Sequence, residues 1–248
     1  MANLMRTSNP TLNDNTFRGE GIALGEQMTL TGTVNKTGLL VLLAMGSAAW
    51  TWNLTSHSPE QAYPLVILGV IGGLVVAVAT VFKKSWAPIT APLYALLEGL
   101  VLGCVSEILN RIYPGIAIQA VTLTFGTLLG LLVLYRARII RVTDKFRLGV
   151  VAATAGIAFF YLLTFILSFF GIHFSAVYGS GLIGIGFSIF VVIIAALNLV
   201  LDFDFIETGA ASGAPKYMEW YGGFALLVTL VWLYLEILRL LAKMRDRR

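Results

Sequence analysis

Phe224-Ala-Leu-Leu-Val-Thr-Leu-Val-Trp-Leu-Tyr-Leu-Glu236-Ile-Leu238 is the stretch on which the reading of this chain turns. It is apolar enough to cross a bilayer, yet it carries a carboxylate at Glu236, seventeen positions after the nearest upstream acid, Glu219. A charge facing hydrocarbon is costly. Such a carboxylate is protonated, paired, or turned toward water inside a helix bundle. Asp202 ends the apolar stretch before it, and Glu98 interrupts another. Three acids in or at the edges of membrane-length segments point to ion or proton handling.

Working outward, the rest of the chain has the same character. Of its 248 residues 58% are hydrophobic and 12% charged, with mean hydropathy +0.85. A soluble domain of this size needs about twice that share of charge. The expected fold is therefore all-α, a polytopic membrane protein in a lipid bilayer. Seven spans are expected, at about 38–54, 64–82, 91–109, 116–136, 148–170, 181–201 and 220–241. At about 1.5 Å per residue these lengths match a hydrocarbon layer of roughly 30 Å. Residues 1–36 are polar, lack the apolar core of a signal peptide, and are expected to be a flexible cytoplasmic tail. The membrane domain is expected over 37–248.

The single cysteine, Cys104, excludes a disulfide framework and a cysteine-rich metal site. The net charge of +4 sits in short connections, with no basic–aromatic interleaving, so nucleic acid is not an expected partner. Lys36, Lys83, Lys84, Arg136, Arg138, Arg141, Lys145, Arg147 and Lys216 fall on one side of the expected spans. The positive-inside rule makes that side, and the N-terminus, cytoplasmic. Seven crossings then leave Arg239, Lys243, Arg245, Arg247 and Arg248 on the opposite side. Either the last helix stops short, or the earlier spans fix the topology.

Gly69/Gly73, Gly99/Gly103 and Gly126/Gly130 form G-x-x-x-G pairs, and Ala152/Gly156 is a weaker equivalent. All are expected at tight helix contacts. Asp202 and Asp204 lie two positions apart and share no helical face, so Asp204 and Glu207 read as a polar cap at the helix end. Arg239, at i+3 on the same face, is a competing ion-pair partner for Glu236. Glu107 is expected to be solvated near the interface. If two of the intramembrane acids converge, one pKa rises and the pair shares a proton. Deprotonation then invites water or a cation, for which calcium is well suited.

Enzymatic chemistry finds no motif. There is no H-E-x-x-H pair, and the two histidines, His57 and His173, fall in connections rather than beside a mid-membrane serine. Span seven has no central lysine for a retinal Schiff base, since Lys216 precedes it and Lys243 follows it. No cofactor is expected beyond transient calcium.

Leu201-Asp-Phe-Asp-Phe-Ile, Leu233-Tyr-Leu-Glu-Ile-Leu-Arg-Leu-Leu, Tyr94-Ala-Leu-Leu-Glu-Gly-Leu-Val-Leu-Gly and the early Ser8-Asn-Pro, in this order, resemble the Bax inhibitor-1 (YccA-like, transmembrane Bax inhibitor motif) family, in particular a bacterial branch. The resemblance implies six helices around a central C-terminal one. It also implies a pH-sensitive calcium leak gated by two acids, falling here on Asp202 and Glu236, in the inner membrane. An Asp is usual at the second position, so Glu236 departs from the pattern by one methylene. Glu98 is a further candidate lining the path. The alternative is a non-transporting regulator that binds other membrane proteins, such as quality-control proteases.

Overall fold

The computed structural model describes residues 27–171 and 174–247. Its helices are α1 (Leu30–His57), α2 (Pro59–Phe82), α3 (Ala87–Ile112), α4 (Ile116–Arg136), α5 (Asp144–Ser168), the four-residue α6 (Ser175–Tyr178), α7 (Leu182–Ala211) and α8 (Met218–Asp246). A 3-10 turn, Lys84–Trp86, leads into α3. Every helix except α6 is long and apolar enough to cross a membrane, which gives seven spans. Among the described residues there is no β-strand; one isolated bridge joins Gln27 to Pro215.

Local chemistry sets the boundaries. Thr29 caps α1, its hydroxyl accepting from the Gly32 amide, and Thr143 caps α5 in the same way through Phe146. Pro59 sits in the first turn of α2, where its missing donor costs nothing, so Ser58 alone separates α1 from α2. His57, expected in a connection, is the last residue of α1, and His173 lies outside the described residues. The expected tail over 1–36 lies outside the described residues through 26. From Leu30 the chain is already helical, so Lys36 belongs to α1. Hydropathy missed this start because Thr31, Thr33, Asn35 and Lys36 are polar; the Thr33 hydroxyl bonds back to the Thr29 carbonyl and Lys36 pairs with Glu219.

Helix α8 is the axis of the bundle. Tyr221, Phe224, Leu233 and Leu238 are at most 1% exposed, and α1, α3, α4 and α7 pack around it. Helix α2 lies outside, against α3 and α1, and α5 lies outside, against α7. Their outward faces, with Leu74, Val75 and Phe82 on α2 and Phe159 and Phe165 on α5, are exposed and apolar, as a lipid-facing surface must be.

The glycine pairs divide. An alanine Cβ at Gly99 or Gly103 of α3 would lie 2.3 Å from the Ala44 carbonyl oxygen or 2.1 Å from that of Ala48, both on α1. A Cβ at Gly69 of α2 would lie 2.7 Å from the Leu97 carbonyl oxygen of α3. The expected tight contact at Gly126/Gly130 and Ala152/Gly156 does not occur. Among the described residues nothing lies within 4 Å of a Cβ at Gly126, Gly130 or Gly156, and Ala152 is exposed. These faces carry no neighbour because α4 and α5 each dock on α7 by another side.

Helix α8 crosses the whole bundle. Its first turn meets the start of α1, where Glu219 pairs with Lys36, and its last turn meets the α3–α4 connection, where Arg245 donates to the Pro114 carbonyl at 2.8 Å. The basic residues at its end are used internally: Arg245 also reaches Gln119 at 2.9 Å, and Lys243 is buried. Helix α8 thus reaches from one end of the bundle to the other.

Candidate functional site

Helices α7 and α8 run antiparallel in a register fixed by two contacts. Thr229 donates to Asp202 Oδ2 at 2.6 Å, and Lys243 donates to Ser188 Oγ at 2.9 Å. Both acceptors and both donors are fourteen positions apart, so the two helices match turn for turn. The α7 position facing Glu236 is then Ala195, and Glu236 lies two turns, about 10 Å, along α8 from the Asp202 contact. The two acids are successive steps along one helix interface rather than opposed partners.

Each step is polar and buried. Asp202 is 0% exposed. One turn away on α7, Asn198 donates to Thr154 Oγ1 of α5 at 2.8 Å and to the Ile194 carbonyl at 2.8 Å. Glu236, 2% exposed, accepts from the Tyr161 hydroxyl of α5 at 3.1 Å. Arg239 donates to both Glu236 oxygens, at 3.0 and 3.1 Å, and to the Tyr161 hydroxyl at 2.8 Å. Its guanidinium also lies 5.4 Å from the centre of the Tyr161 ring. Farther along, Lys243 closes the series.

The spacing explains the alignment. Thr229, Glu236 and Lys243 on α8, Ser188 and Asp202 on α7, and Arg147, Thr154 and Tyr161 on α5 all recur at multiples of seven. A seven-residue repeat keeps side chains on one face of a packed helix. The result is a polar seam at the α5–α7–α8 junction, about 21 Å long from Thr229 to Lys243 at the rise of a helix. Beside its near end lies an ionic cluster: Arg147 donates to Asp204 at 2.8 Å, and the Tyr135 hydroxyl donates to Glu207 at 2.5 Å. Asp204 and Glu207, read from sequence as a polar cap, therefore tie α7 to α5 and α4.

Glu98 stands apart from the seam. It is hydrogen-bonded to Tyr94 one turn earlier and faces α2, its Oε2 lying 3.5 Å from a Cβ built at Gly73. Glu107, expected to be solvated, is 3% exposed, because Arg111 donates to it at 2.5 Å and Ser56 of α1 at 3.0 Å. Among the described residues no group of three or more His, Cys, Asp or Glu comes together as a metal site. Sequence reasoning passed over Tyr161, Thr229, Ser188 and Lys243. The seven-residue spacing through Glu236 was the available signal.

One comparison with known proteins finds a match. A family model described as Bax inhibitor 1 like matches residues 9–246. The chain belongs to that family. Neither a curated protein nor a solved structure matches it. As a Bax inhibitor 1 like protein, it is a membrane protein whose matched region takes in α1 through α8 and every residue of the seam.

Proposed function

We propose that this protein is a pH-sensitive cation leak, conducting calcium, and that the α5–α7–α8 seam is its path. The observation that carries the reading is the alignment of Asp202 and Glu236 with Thr154, Tyr161, Asn198 and Thr229 in one polar line beside the central helix. A carboxylate in a low-dielectric interior is stable when neutral or compensated, and removal of a proton calls for a cation, a donor or water. At Asp202, Thr229 is a donor already in place. At Glu236 it is Arg239 with Tyr161. A cation entering the seam competes with those donors, and a proton on either acid removes the attraction for it. The resemblance implies two gating acids on these helices. Here they act in sequence, two turns apart, rather than as a dyad. The face bearing Lys83, Lys84 and Arg147 is cytoplasmic on this reading, in a bacterial inner membrane.

The test is calcium flux into liposomes holding purified protein, across a pH series. The expected result is a pH-dependent flux that Asp202→Asn and Glu236→Gln each strip of its pH dependence. A flux indifferent to pH, or unchanged in both variants, defeats the reading.

One observation favours a second reading, a regulator that binds other membrane proteins. Gly126, Gly130, Gly149 and Gly156 present small-residue faces with nothing packed on them among the described residues. Co-purification of a stoichiometric partner, lost with Gly126→Leu, together with no ion flux, is the result that selects it.

A further inference from the structure

Lys243 is 7% exposed, and its ammonium is held by three neutral oxygens. It donates to the Val177 carbonyl at 2.8 Å, the Gly184 carbonyl at 3.1 Å and Ser188 Oγ at 2.9 Å. An ammonium has three donors, and here all three are used. Among the described residues none of these partners is a carboxylate. Two acids of α8 lie near it along the helix: Asp246, at i+3, accepts from Ser180 and Tyr113, and Glu236, two turns back, is engaged by Arg239. A buried charge is ordinarily matched by a counter-charge. The atoms in direct contact with this one are dipoles, as in the carbonyl rings that replace an ion's hydration shell in channels.

The cage is built by the fold. Gly184 allows the turn after α6 to press onto α7, since a Cβ there would lie 2.1 Å from the Gly179 carbonyl and 3.0 Å from the Val177 carbonyl. Ser188 adds its hydroxyl one turn farther along α7. Lys243 reaches this cage from the same face of α8 as Thr229 and Glu236, so the cage terminates the polar seam.

We propose that the Val177, Gly184 and Ser188 oxygens form a monovalent-cation position at the far end of the seam, and that Lys243 keeps it filled as a tethered cation. This rests on the seam being the ion path. Neutral carbonyl and hydroxyl oxygens without a carboxylate suit a monovalent ion. Calcium takes roughly six to eight oxygens, carboxylates among them. The lysine thereby closes the exit to free cations and places a fixed positive charge in their way.

The test is potassium flux, read by thallium entry into liposomes holding the full-length protein. Lys243→Met is expected to raise it about tenfold over wild type, a change of the size a removed fixed charge produces at short range. Arg247→Met, which removes the same charge from an exposed position, is expected to leave it unchanged. Potassium chloride is also expected to raise the melting temperature of Lys243→Met relative to choline chloride, and not that of wild type. Wild-type flux in a folded Lys243→Met protein, or an equal rise with Arg247→Met, overturns the proposal. If Lys243→Met does not fold, Ser188→Ala takes its place. It removes one acceptor and is expected to raise the flux about twofold, and an unchanged flux overturns the proposal equally. Calcium flux in Asp202→Asn and Glu236→Gln separates the two ideas. If those variants behave as wild type while Lys243→Met leaks potassium, the gate fails and the cage stands.

Discussion

Helices α1 and α3 meet through their backbones, whereas α5 meets α7 and α8 through side chains. At Gly99 and Gly103 there is no room for a methyl group between α3 and the α1 carbonyls. Along α5, by contrast, Arg147, Thr154 and Tyr161 reach across to Asp204, Asn198 and Glu236. In lipid no hydrophobic force draws helices together, so the first contact relies on dispersion at close range and the second on hydrogen bonds. A contact of the first kind has one geometry. A contact of the second kind exchanges partners with water, protons or ions, which places adjustable chemistry beside α5 and fixed support beside α3.

Several substitutions break or sharpen this contrast. The largest effect is expected from Gly103→Leu, whose Cβ alone would stand 2.1 Å from the Ala48 carbonyl oxygen. Its unfolding in detergent micelles is expected to cost about 4 kcal/mol, the range of severe overpacking. A near-normal unfolding curve would show that α1 and α3 can part without loss. Arg239→Met comes next. It leaves Glu236 buried with Tyr161 as its remaining donor from this trio, and a loss of about 2 kcal/mol is expected, less than a fully buried pair gives because Arg239 is part exposed. Tyr161→Phe removes hydrogen bonds to both Glu236 and Arg239. Such bonds in membranes average well under 2 kcal/mol, so about 1 kcal/mol is expected, with faster hydrogen exchange confined to α5. The smallest effect is expected from Gly126→Ala, which meets open space and shifts stability by less than about 0.5 kcal/mol. A large loss there in native membranes, and none in detergent, would reveal a partner on that face.

The spans were legible because hydropathy over membrane-length windows is a strong signal, and Asp202 and Glu236 stood out against it. Helix ends were less legible. Thr29 and Lys36 look like linker residues until Glu219, on another helix, comes to meet them. Glu107 reads as solvated until Ser56 of α1 and Arg111 cover it. Lys243 reads as one of a basic cluster at the chain's end, yet its spacing from Glu236 already placed it on the seam. The glycine pairs show the opposite failure, since the same G-x-x-x-G pattern packs in α3 and faces outward in α4. A pattern along one helix names a face, and only the neighbouring helices decide whether that face is used.

The pairing of Lys36 with Glu219 spans 183 positions of sequence, and the Glu219 carboxylate, 0% exposed, also accepts the Thr29 amide and hydroxyl, each at 2.9 Å. A ribosome makes the lysine well before its partner, with five further spans synthesised in between. Until residue 219 is made, then, the first helix carries at its entry a cation without this partner. The bundle is clasped only as the final segment threads through its middle, so assembly of this protein is expected to complete in a single late step, and a chain cut short before residue 219 is expected to remain open.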